Sequence, residues 1–413
     1  MQLDLILRDV RLPDAKPGEP AMDIGVAGGR IAAIAPRLEA SASEEAQGGG
    51  RVVCSGFVET HIHLDKSCIL GRCACETQRF PHGAMERVSA VKHTFTVEDV
   101  TERASRTIEN CILHGATRMR THAEVDPKVG LRGVEGVRAL IEKYRWAIDL
   151  EICVMPQEGL TNNPGTDELM VAALRNGATV VGAAPNYDSD RAAQIRRVFE
   201  MAREFDVDID MHLDSGTSAE ELDTLLVCDL TEQYGWGGRV AVGHVTKLAA
   251  MPWPAMDKVA KRMADAGVAA TILTATDLYL GGRHVEANAP RNVVDANRLA
   301  EQGVLCSVAS NNILNPFTPF GDGQLLRQAN MQAIVTNRGS DSEVRAVWDM
   351  ITKDAARLLR QDDYGVAVGN PADLVVLDAE TPEMALRTVA PVLMAYKRGR
   401  RTVTRERARL HRP

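Results

Sequence analysis

Apolar and polar positions alternate in a repeating order between about residues 56 and 357. Short runs rich in Val, Ile and Ala, which suit buried strands, are followed by longer stretches in which apolar residues recur at helical spacing. The eight predicted strands are 57–63, 117–122, 149–155, 179–184, 207–213, 239–244, 268–273 and 304–309. The helices predicted between them are 97–110, 134–144, 166–176, 192–205, 218–234, 256–266 and 293–302. Eight such units predict a distorted (β/α)8 barrel of the TIM type.

An open, doubly wound sheet is the alternative architecture for this pattern. Such a sheet normally carries a Gly-x-Gly-x-x-Gly loop after its first strand, and the sequence has no such loop there. The barrel is therefore the prediction. Residues 63–97 form a long excursion after the first strand, and we expect it to lie over the mouth of the barrel.

The two ends of the chain have a β character that the middle lacks. Near the start, residues 3–10 resemble a strand, 23–34 a hairpin and 44–50 a polar connector. Near the end, residues 364–378 lead into a buried strand and 392–403 form a hairpin. We expect both termini to pair into one small β-sandwich domain beside the barrel. The predicted segments are 1–55, 56–357 and 358–413.

Composition narrows the classes of partner. The net charge is −8 and aromatic residues make up 4% of the chain, which argues against nucleic acid and anionic membranes as partners. No apolar run reaches the roughly 18 residues of a membrane span. The first residues lack the basic segment and apolar core of a signal peptide. We expect a cytoplasmic protein that acts on a small molecule and assembles as a homo-oligomer.

The eight cysteines are scattered and include no Cys-x-x-Cys pair, so they do not predict a disulfide framework. Cys73 and Cys75 are interpreted as two thiols in a loop rather than as half of a metal site.

Histidines cluster where predicted strands end. His61 and His63 lie two residues apart at the end of the first strand, so their side chains point the same way. His122, His212 and His244 end three later strands. Active-site side chains of parallel barrels lie at this rim, and converging imidazoles suit a divalent metal ion. The remaining histidines show no such placement, although His284 could line the mouth.

Several segments of the chain together resemble the amidohydrolase superfamily, within it the group of cytosine deaminase and N-isopropylammelide isopropylamidohydrolase. The resemblance covers nearly the whole chain. The segments that carry it are 56–67 (GFVETHIHLDKS), 120–124 (RTHAE), 156–159 (PQEG), 207–212 (VDIDMH), 238–244 (GRVAVGH), 316–321 (PFTPFG) and 370–377 (NPADLVVL).

The resemblance implies one divalent metal ion, zinc or iron, with ligands His61, His63 and His212. It places His244 beside the water that the metal activates, and Gln157 as a hydrogen-bonding partner of the substrate ring. Phe317 takes the position of an aromatic residue that covers the substrate. The implied reaction is hydrolysis of a C–N bond, an exocyclic amine or a cyclic amide, in a small polar nitrogen heterocycle such as a pyrimidine or triazine.

Two positions depart from the family pattern. An Asp that binds metal and moves protons is expected at the end of strand eight, but Asn311 and Asn312 stand there. In cytosine deaminase an acid follows the strand-five histidine by three residues, where this chain has Ser215. Asn cannot accept a proton from water. We expect Asn311, Asn312 and His122 to contact the substrate; the two asparagines could instead serve as turn residues.

Four carboxylates could replace the missing acid: Asp214, Glu124, Asp65 and Glu158. Asp214 is the preferred catalytic carboxylate, in the role of the base, because it is expected to share a face with His212, although it could equally orient a histidine. Lys66 is interpreted as the partner of an acid. The alternative function is that of a relative which binds a ring compound without hydrolysis, or which runs a different reaction.

Overall fold

The computed structural model describes residues 2–16, 18–73, 83–283 and 285–411. The expectations for Cys75 and His284 concern residues outside these ranges.

Within the described residues the chain forms two β-sheets and a set of surrounding helices. The strands are β1 Leu3–Arg11, β2 Met22–Ala27, β3 Arg30–Ala35, β4 Ala42–Ser55, β5 Phe57–Ile62, β6 Ala116–Glu124, β7 Asp149–Met155, β8 Val180–Val181, β9 Asp208–Leu213, β10 Val240–His244, β11 Val268–Ile272, β12 Cys306–Val308, β13 Leu374–Leu377, β14 Val392–Lys397 and β15 Arg400–Thr404.

The α-helices are α1 Gly83–Val91, α2 Val97–Leu113, α3 Arg132–Tyr144, α4 Thr166–Arg175, α5 Arg191–Phe205, α6 Asp223–Tyr234, α7 Trp253–Ala266, α8 Thr274–Leu280, α9 Ala296–Glu301, α10 Leu325–Val335, α11 Asp341–Asp349, α12 Lys353–Leu358 and α13 Pro382–Thr388. No helix in the described part of the chain combines the length and apolar character of a membrane span.

The eight strands β5 to β12 lie side by side in chain order and are all parallel, which confirms the predicted barrel. The ring closes through the segment after β12. The N–H of Asn311 donates to the carbonyl of His61 at 2.8 Å, and the N–H of His63 donates to the carbonyl of Asn311 at 2.9 Å. We call these two hydrogen bonds the closing seam. It lies at the rim where the strands end, next to the predicted metal ligands.

The terminal strands form a second sheet in the order β15-β14-β13-β4-β1-β2-β3. This sheet curls over a core of its own, so that Val26 and Ile31 share one apolar cluster with Leu374 and Tyr396. The predicted β-sandwich of both termini is therefore confirmed. Gly56 joins β4 to β5, and a Cβ atom there would lie 2.2 Å from the side chain of Thr117, which explains the glycine.

The prediction of a polar connector at residues 44–50 was wrong, because these residues belong to the 14-residue strand β4. β4 pairs with β1 on one side and with β13 on the other. Its exposed positions alternate with buried ones, and Glu45 is held by the Nε of Arg8 at 2.8 Å. A strand with one face in solvent contains few apolar residues, so the sequence of β4 did not show a strand pattern. The boundaries 55/56 and 357/358 stay a prediction.

Candidate active site

The predicted metal ligands meet at the barrel rim. His61 lies on β5, His63 follows that strand directly, and His212 lies near the end of β9. The Nε2 atoms of His61 and His63 are each 3.0 Å from Nε2 of His212. One imidazole nitrogen carries either one proton or one lone pair, so His212 cannot form a hydrogen bond to both neighbours through Nε2.

A metal ion would resolve this crowding. Two nitrogens bound to one zinc ion at about 2.1 Å lie roughly 3 to 3.4 Å apart, which is close to the observed spacing. The ring planes of His61 and His63 are inclined to that of His212 by 65° and 47°, so neither ring stacks face to face on His212. The nitrogen donors and their geometry therefore fit a divalent metal ion.

His122 does not lie where the sequence prediction placed it. Strand β6 continues to Glu124, so His122 lies inside the barrel, fully buried, and it is not among the residues that line the cavity described below. Its ring stacks on that of His61 at 3.7 Å between centroids, with an angle of 26°.

The imidazoles of His61, His122 and His212 are also close enough to be considered a ligand set. A metal ion lies in the plane of each imidazole that binds it, and two stacked rings cannot both direct a nitrogen to one ion. We therefore favour His63 over His122 as the third ligand.

Burial favours the neutral form of the three predicted ligand histidines, which is the form that binds a metal ion. Burial, reinforced by the neighbouring imidazoles, lowers the pKa of His61 to about 3. The same causes, together with Lys66 in the case of His63, hold the pKa values of His63 and His212 well below the ordinary value. These nitrogens therefore offer lone pairs at neutral pH.

Asp210 supports this group from inside the barrel, and the sequence analysis missed it. Its Oδ1 lies 3.7 Å from Nδ1 of His61 and 3.5 Å from Nε2 of His122, and its Oδ2 accepts from Arg120 at 3.1 Å. Burial opposes ionisation of this carboxyl, but His122 and Arg120 outweigh it and lower its pKa. The signal in the sequence is its position two residues before His212, on the same face of β9. Acids of this kind orient metal-binding imidazoles.

His244 ends β10 and is also held by an acid. Its Nδ1 lies 2.5 Å from Oδ1 of Asp277, on α8. Both residues line the same cavity. Asp277 was not a predicted site residue, because nothing in the sequence indicates that a helix after β11 returns to the end of β10.

A cavity of about 490 Å³ opens beside the predicted metal ligands and has both polar and apolar walls. His63 and His212 form part of its floor, and Gln157, Asn312 and Phe317 lie in its walls, as does Lys66. The ammonium of Lys66 donates to Oε1 of Gln157 at 3.1 Å and lies 4.7 Å from the ring centroid of Phe317. Lys66 takes one acceptor site of the amide oxygen, and the NH2 group of Gln157 can donate to a ligand.

Comparison with known proteins identifies the family of the chain. A sequence profile described as "Amidohydrolase family" matches residues 77–403. The chain belongs to the amidohydrolase family. The predicted class, an enzyme that hydrolyses carbon–nitrogen bonds, is thereby confirmed.

Three similar proteins refine the comparison. N-isopropylammelide isopropyl amidohydrolase of Pseudomonas sp. (strain ADP) is 27% identical over 405 residues, which are 96% of either chain. Pterin deaminase of Rhizobium rhizogenes is 28% identical over 366 residues, 86% of this chain and 82% of the relative. The crystal structure of 5-methylcytosine deaminase from Klebsiella pneumoniae with 5-fluorocytosine superposes with a TM-score of 0.92, at 26% identity and 99% coverage of both chains. The predicted resemblance to the cytosine deaminase group is confirmed.

This amidohydrolase has amides where an acid was expected at the end of strand eight. Asn311 is fully buried, and its backbone forms the closing seam. Its side-chain Oδ1 accepts from Asn312 at 2.9 Å, and Oδ1 of Asn312 accepts from Asn315 at 2.7 Å. Asn312 lines the cavity but Asn311 does not. Nδ2 of Asn311 has no partner within the described residues. The pair therefore forms a neutral amide ladder beside the ligands.

Asp214 does not face the cavity, contrary to the prediction. Its backbone adopts a left-handed conformation with φ of 48°, which ends the alternation of β9. Its carboxylate accepts from the N–H of Asp223 at 3.0 Å and of Thr224 at 2.9 Å, and from the hydroxyl of Thr224 at 2.6 Å. Asp214 thus caps α6 and has its acceptors occupied by protein donors.

The other three candidate acids are held in ion pairs or by backbone donors. Glu124 is paired with Lys66, as the sequence interpretation of that lysine expected. Asp65 accepts from the N–H of Glu124 at 2.9 Å. Glu158 is paired with Lys92 and Lys128. None of these three carboxylates lines the described cavity.

Proposed function

We propose that the protein is a metal-dependent amidohydrolase that cleaves a C–N bond, an exocyclic amine or a cyclic amide, in a small polar nitrogen heterocycle. The observation that carries this proposal is that the Nε2 atoms of His61 and His63 each lie 3.0 Å from Nε2 of His212, beside the cavity. His61, His63 and His212 would hold the ion. A divalent ion bound there would lower the pKa of a water molecule to about 7 and so supply hydroxide at neutral pH.

The cavity walls would hold the ring over the ligands. A volume of about 490 Å³ lies within the ordinary range for small-molecule sites and accommodates a pyrimidine, triazine or pterin ring. The NH2 group of Gln157 would donate to a carbonyl oxygen or ring nitrogen of the substrate. Phe317 would cover an apolar face of the ring, while Asn312 would contact its polar edge.

His244 would act on the group that leaves. With Nδ1 directed to Asp277, Nε2 is the ring nitrogen that remains to face the cavity. From there it can donate a proton to, or accept one from, the substituent of the attacked carbon. Its placement on β10, beside the ligand strand β9, brings its ring within 5.4 Å of the ring of His212.

The names of the similar proteins supply a substrate panel: 5-methylcytosine, N-isopropylammelide and pterin. We expect the zinc- or iron-loaded protein to release ammonia or an amine from at least one compound. Removal of metal with a chelator should abolish release, and addition of the ion should restore it. The variant His212→Asn should be inactive, whereas His93→Asn, which changes an exposed histidine, should retain the parent rate.

A different outcome would overturn the proposal. If the purified protein holds less than about a tenth of an equivalent of any transition metal and gains no activity on reconstitution, the metal-dependent reaction is excluded. Binding of a panel compound without turnover would favour the alternative function, a relative that retains the cavity but not hydrolysis. A cytoplasmic location and a homo-oligomeric state stay predictions; sedimentation of the purified protein tests the second.

A further inference from the structure

The site lacks an acid on strand eight, but it has one on the helix that follows strand seven. Asp277 lies in the middle of α8 and is 3% exposed. Among the described residues that line the cavity, the carboxylates are Asp277 and Glu86, and Glu86 lies on the surface helix α1. Asp277 is therefore the buried carboxylate of the cavity wall.

The two oxygens of this carboxylate have different surroundings. Oδ1 lies 2.5 Å from Nδ1 of His244. A carboxylate offers acceptors only, so the proton of this hydrogen bond is on Nδ1, and the lone pair or second proton of His244 is on Nε2. Oδ2 of Asp277 is buried and has no hydrogen-bond partner in the part of the chain that the structure describes. Buried oxygens without a partner are rare, and this one belongs to a residue of the cavity wall.

The helix that carries Asp277 is anchored at several points. The hydroxyl of Thr276 lies 2.6 Å from that of Thr318, and the hydroxyl of Thr274 donates to Gln332 at 2.7 Å. A Cβ atom at Gly281 would lie 2.8 Å from the carbonyl oxygen of Asp277, so the chain after the helix passes close to this residue. The position of the carboxylate is therefore set by the fold and not only by its contact with His244.

From these observations we infer that Asp277 is a positioning residue of the active site. Its Oδ1 fixes the proton of His244 on Nδ1 and the orientation of the ring, so that Nε2 faces the substrate. Asn311 and Asn312 carry no charge, and the carboxylate that contacts His244 comes from α8. The inference rests on the proposed function only in assuming that His244 acts on the substrate.

The first experiment detects the proton on Nδ1 of His244 by NMR and needs no substrate. In protein labelled with 15N-histidine, the proton on Nδ1 of His244 should give a downfield signal that exchanges slowly with water. The variant His244→Asn identifies this signal by its loss. We expect Asp277→Ala to remove it and Asp277→Asn to shift it strongly upfield. Asp349→Asn, a buried acid on α11 outside the cavity lining, should leave it unchanged.

The second experiment uses the panel compound that the metal-loaded parent turns over fastest. We expect Asp277→Asn and Asp277→Ala to lower kcat by at least about 100-fold, with bound zinc unchanged. A His244 signal that survives in Asp277→Ala would overturn the inference, as would a kcat within threefold of the parent. If no panel compound is turned over, the proposed function fails, while the histidine signal still decides the role of Asp277. Circular dichroism of each variant establishes that it is folded.

Discussion

His212 contacts two other imidazoles through one nitrogen, so its replacement tests the metal centre most directly. We expect His212→Asn to weaken zinc binding by more than the roughly 100-fold upper range found for residues that only support a ligand. His122→Asn should weaken it by no more than about tenfold, because His122 stacks on His61 without directing a nitrogen to the same point. Competition with a chelator of known affinity measures both changes.

A third variant, His63→Asn, separates the two possible ligand sets when it is compared with His122→Asn. If His122 binds the ion and His63 does not, then His122→Asn will lose zinc and His63→Asn will keep it. That result would replace His63 in the ligand set. If His212→Asn, His122→Asn and His63→Asn all bind zinc as tightly as the parent, the histidines do not bind the metal.

Glu59 gives the barrel interior a measurable dependence on pH. It is fully buried on β5 and accepts from the N–H of Ser310 at 3.1 Å and of His61 at 3.2 Å. Burial raises its pKa from 4.5 to about 7. Because the folded state holds this proton more tightly than the unfolded chain does, its stabilising contribution is complete below about pH 4.5 and is lost as the pH rises through 7.

Glu59→Gln removes this titration and keeps one acceptor oxygen. Relative to the parent, we expect the free energy of unfolding of the metal-free variant to rise by about 2 to 3 kcal/mol between pH 5 and pH 8. Urea denaturation at both pH values measures the difference. The side chain of Ser310 interacts with this carboxyl and opposes the effect of burial on its pKa. An equal difference at the two pH values would show that Glu59 ionises normally.

Among the secondary-structure elements, helix α6 begins at a contact with Asp214, and replacing this residue distinguishes a helix cap from a catalytic acid. Its carboxylate holds the N–H groups of Asp223 and Thr224 at the start of α6. In Asp214→Asn one side of the carboxylate becomes an NH2 group that cannot accept from these donors. We expect the free energy of unfolding to fall by about 1 to 3 kcal/mol.

The replacement Asp214→Asn should change the catalytic rate much less than it changes the stability. Since Asp214 does not line the cavity, kcat of Asp214→Asn should stay within threefold of the parent when measured below the onset of unfolding. A large loss of kcat with unchanged stability would restore Asp214 as the acid that the sequence suggested.

The outcome at Asp214 illustrates what sequence patterns could and could not predict. The alternation of strands and helices placed β5 to β12 correctly, because each buried strand is a compact apolar run with its own spacing. Strand alternation also placed His61 and His63 on one face. It failed at Asp214, where a positive φ ended the strand one residue after Leu213. A single left-handed residue changes the direction of a side chain, and nothing in local composition predicts it.

The same limit applies to residues that meet only in the fold. Asp277 and His244 are 33 positions apart, and their contact depends on how α8 packs against the rim. Arg120 on β6 and Asp210 on β9 likewise form a hydrogen bond only because the two strands face each other inside the barrel. β4 escaped prediction for another reason, since its four exposed positions alternate with more buried ones in a mainly polar segment. The sequence thus indicated the candidate metal ligands but not the acids that contact them.

At the scale of the whole molecule, Lys397 joins the terminal sheet to the barrel. It is 3% exposed on β14, and its ammonium donates to Asp149 of β7 at 2.8 Å and to Asp373 at 2.6 Å. It also donates to the carbonyl of Thr117 on β6 at 2.9 Å. Removing one partner from a buried ion pair leaves uncompensated charge.

We expect Lys397→Met to lower the free energy of unfolding by about 2 to 4 kcal/mol. Arg400→Met, an exposed change on the neighbouring strand, should cost less than about 0.5 kcal/mol. Urea denaturation followed by circular dichroism measures both. Zinc affinity should be the same in the two variants, because the contacts of Lys397 lie where β6 and β7 begin, at the end of the barrel opposite the metal ligands. Equal stability of the two variants would mean that the termini do not depend on this lysine.

The closing seam has a consequence for how the protein opens. Its two hydrogen bonds join the first strand of the barrel to the segment after the last, and both involve the backbone of residues 61–63, which carries two of the predicted metal ligands. Any fluctuation that parts the barrel at the seam must also displace His61 or His63. An ion bound by both would hold the seam shut, and its loss would favour opening. Hydrogen exchange at the amides of His63 and Asn311 should therefore slow when zinc is added, while exchange within β13 stays constant, so these two amides would report metal occupancy from the backbone alone.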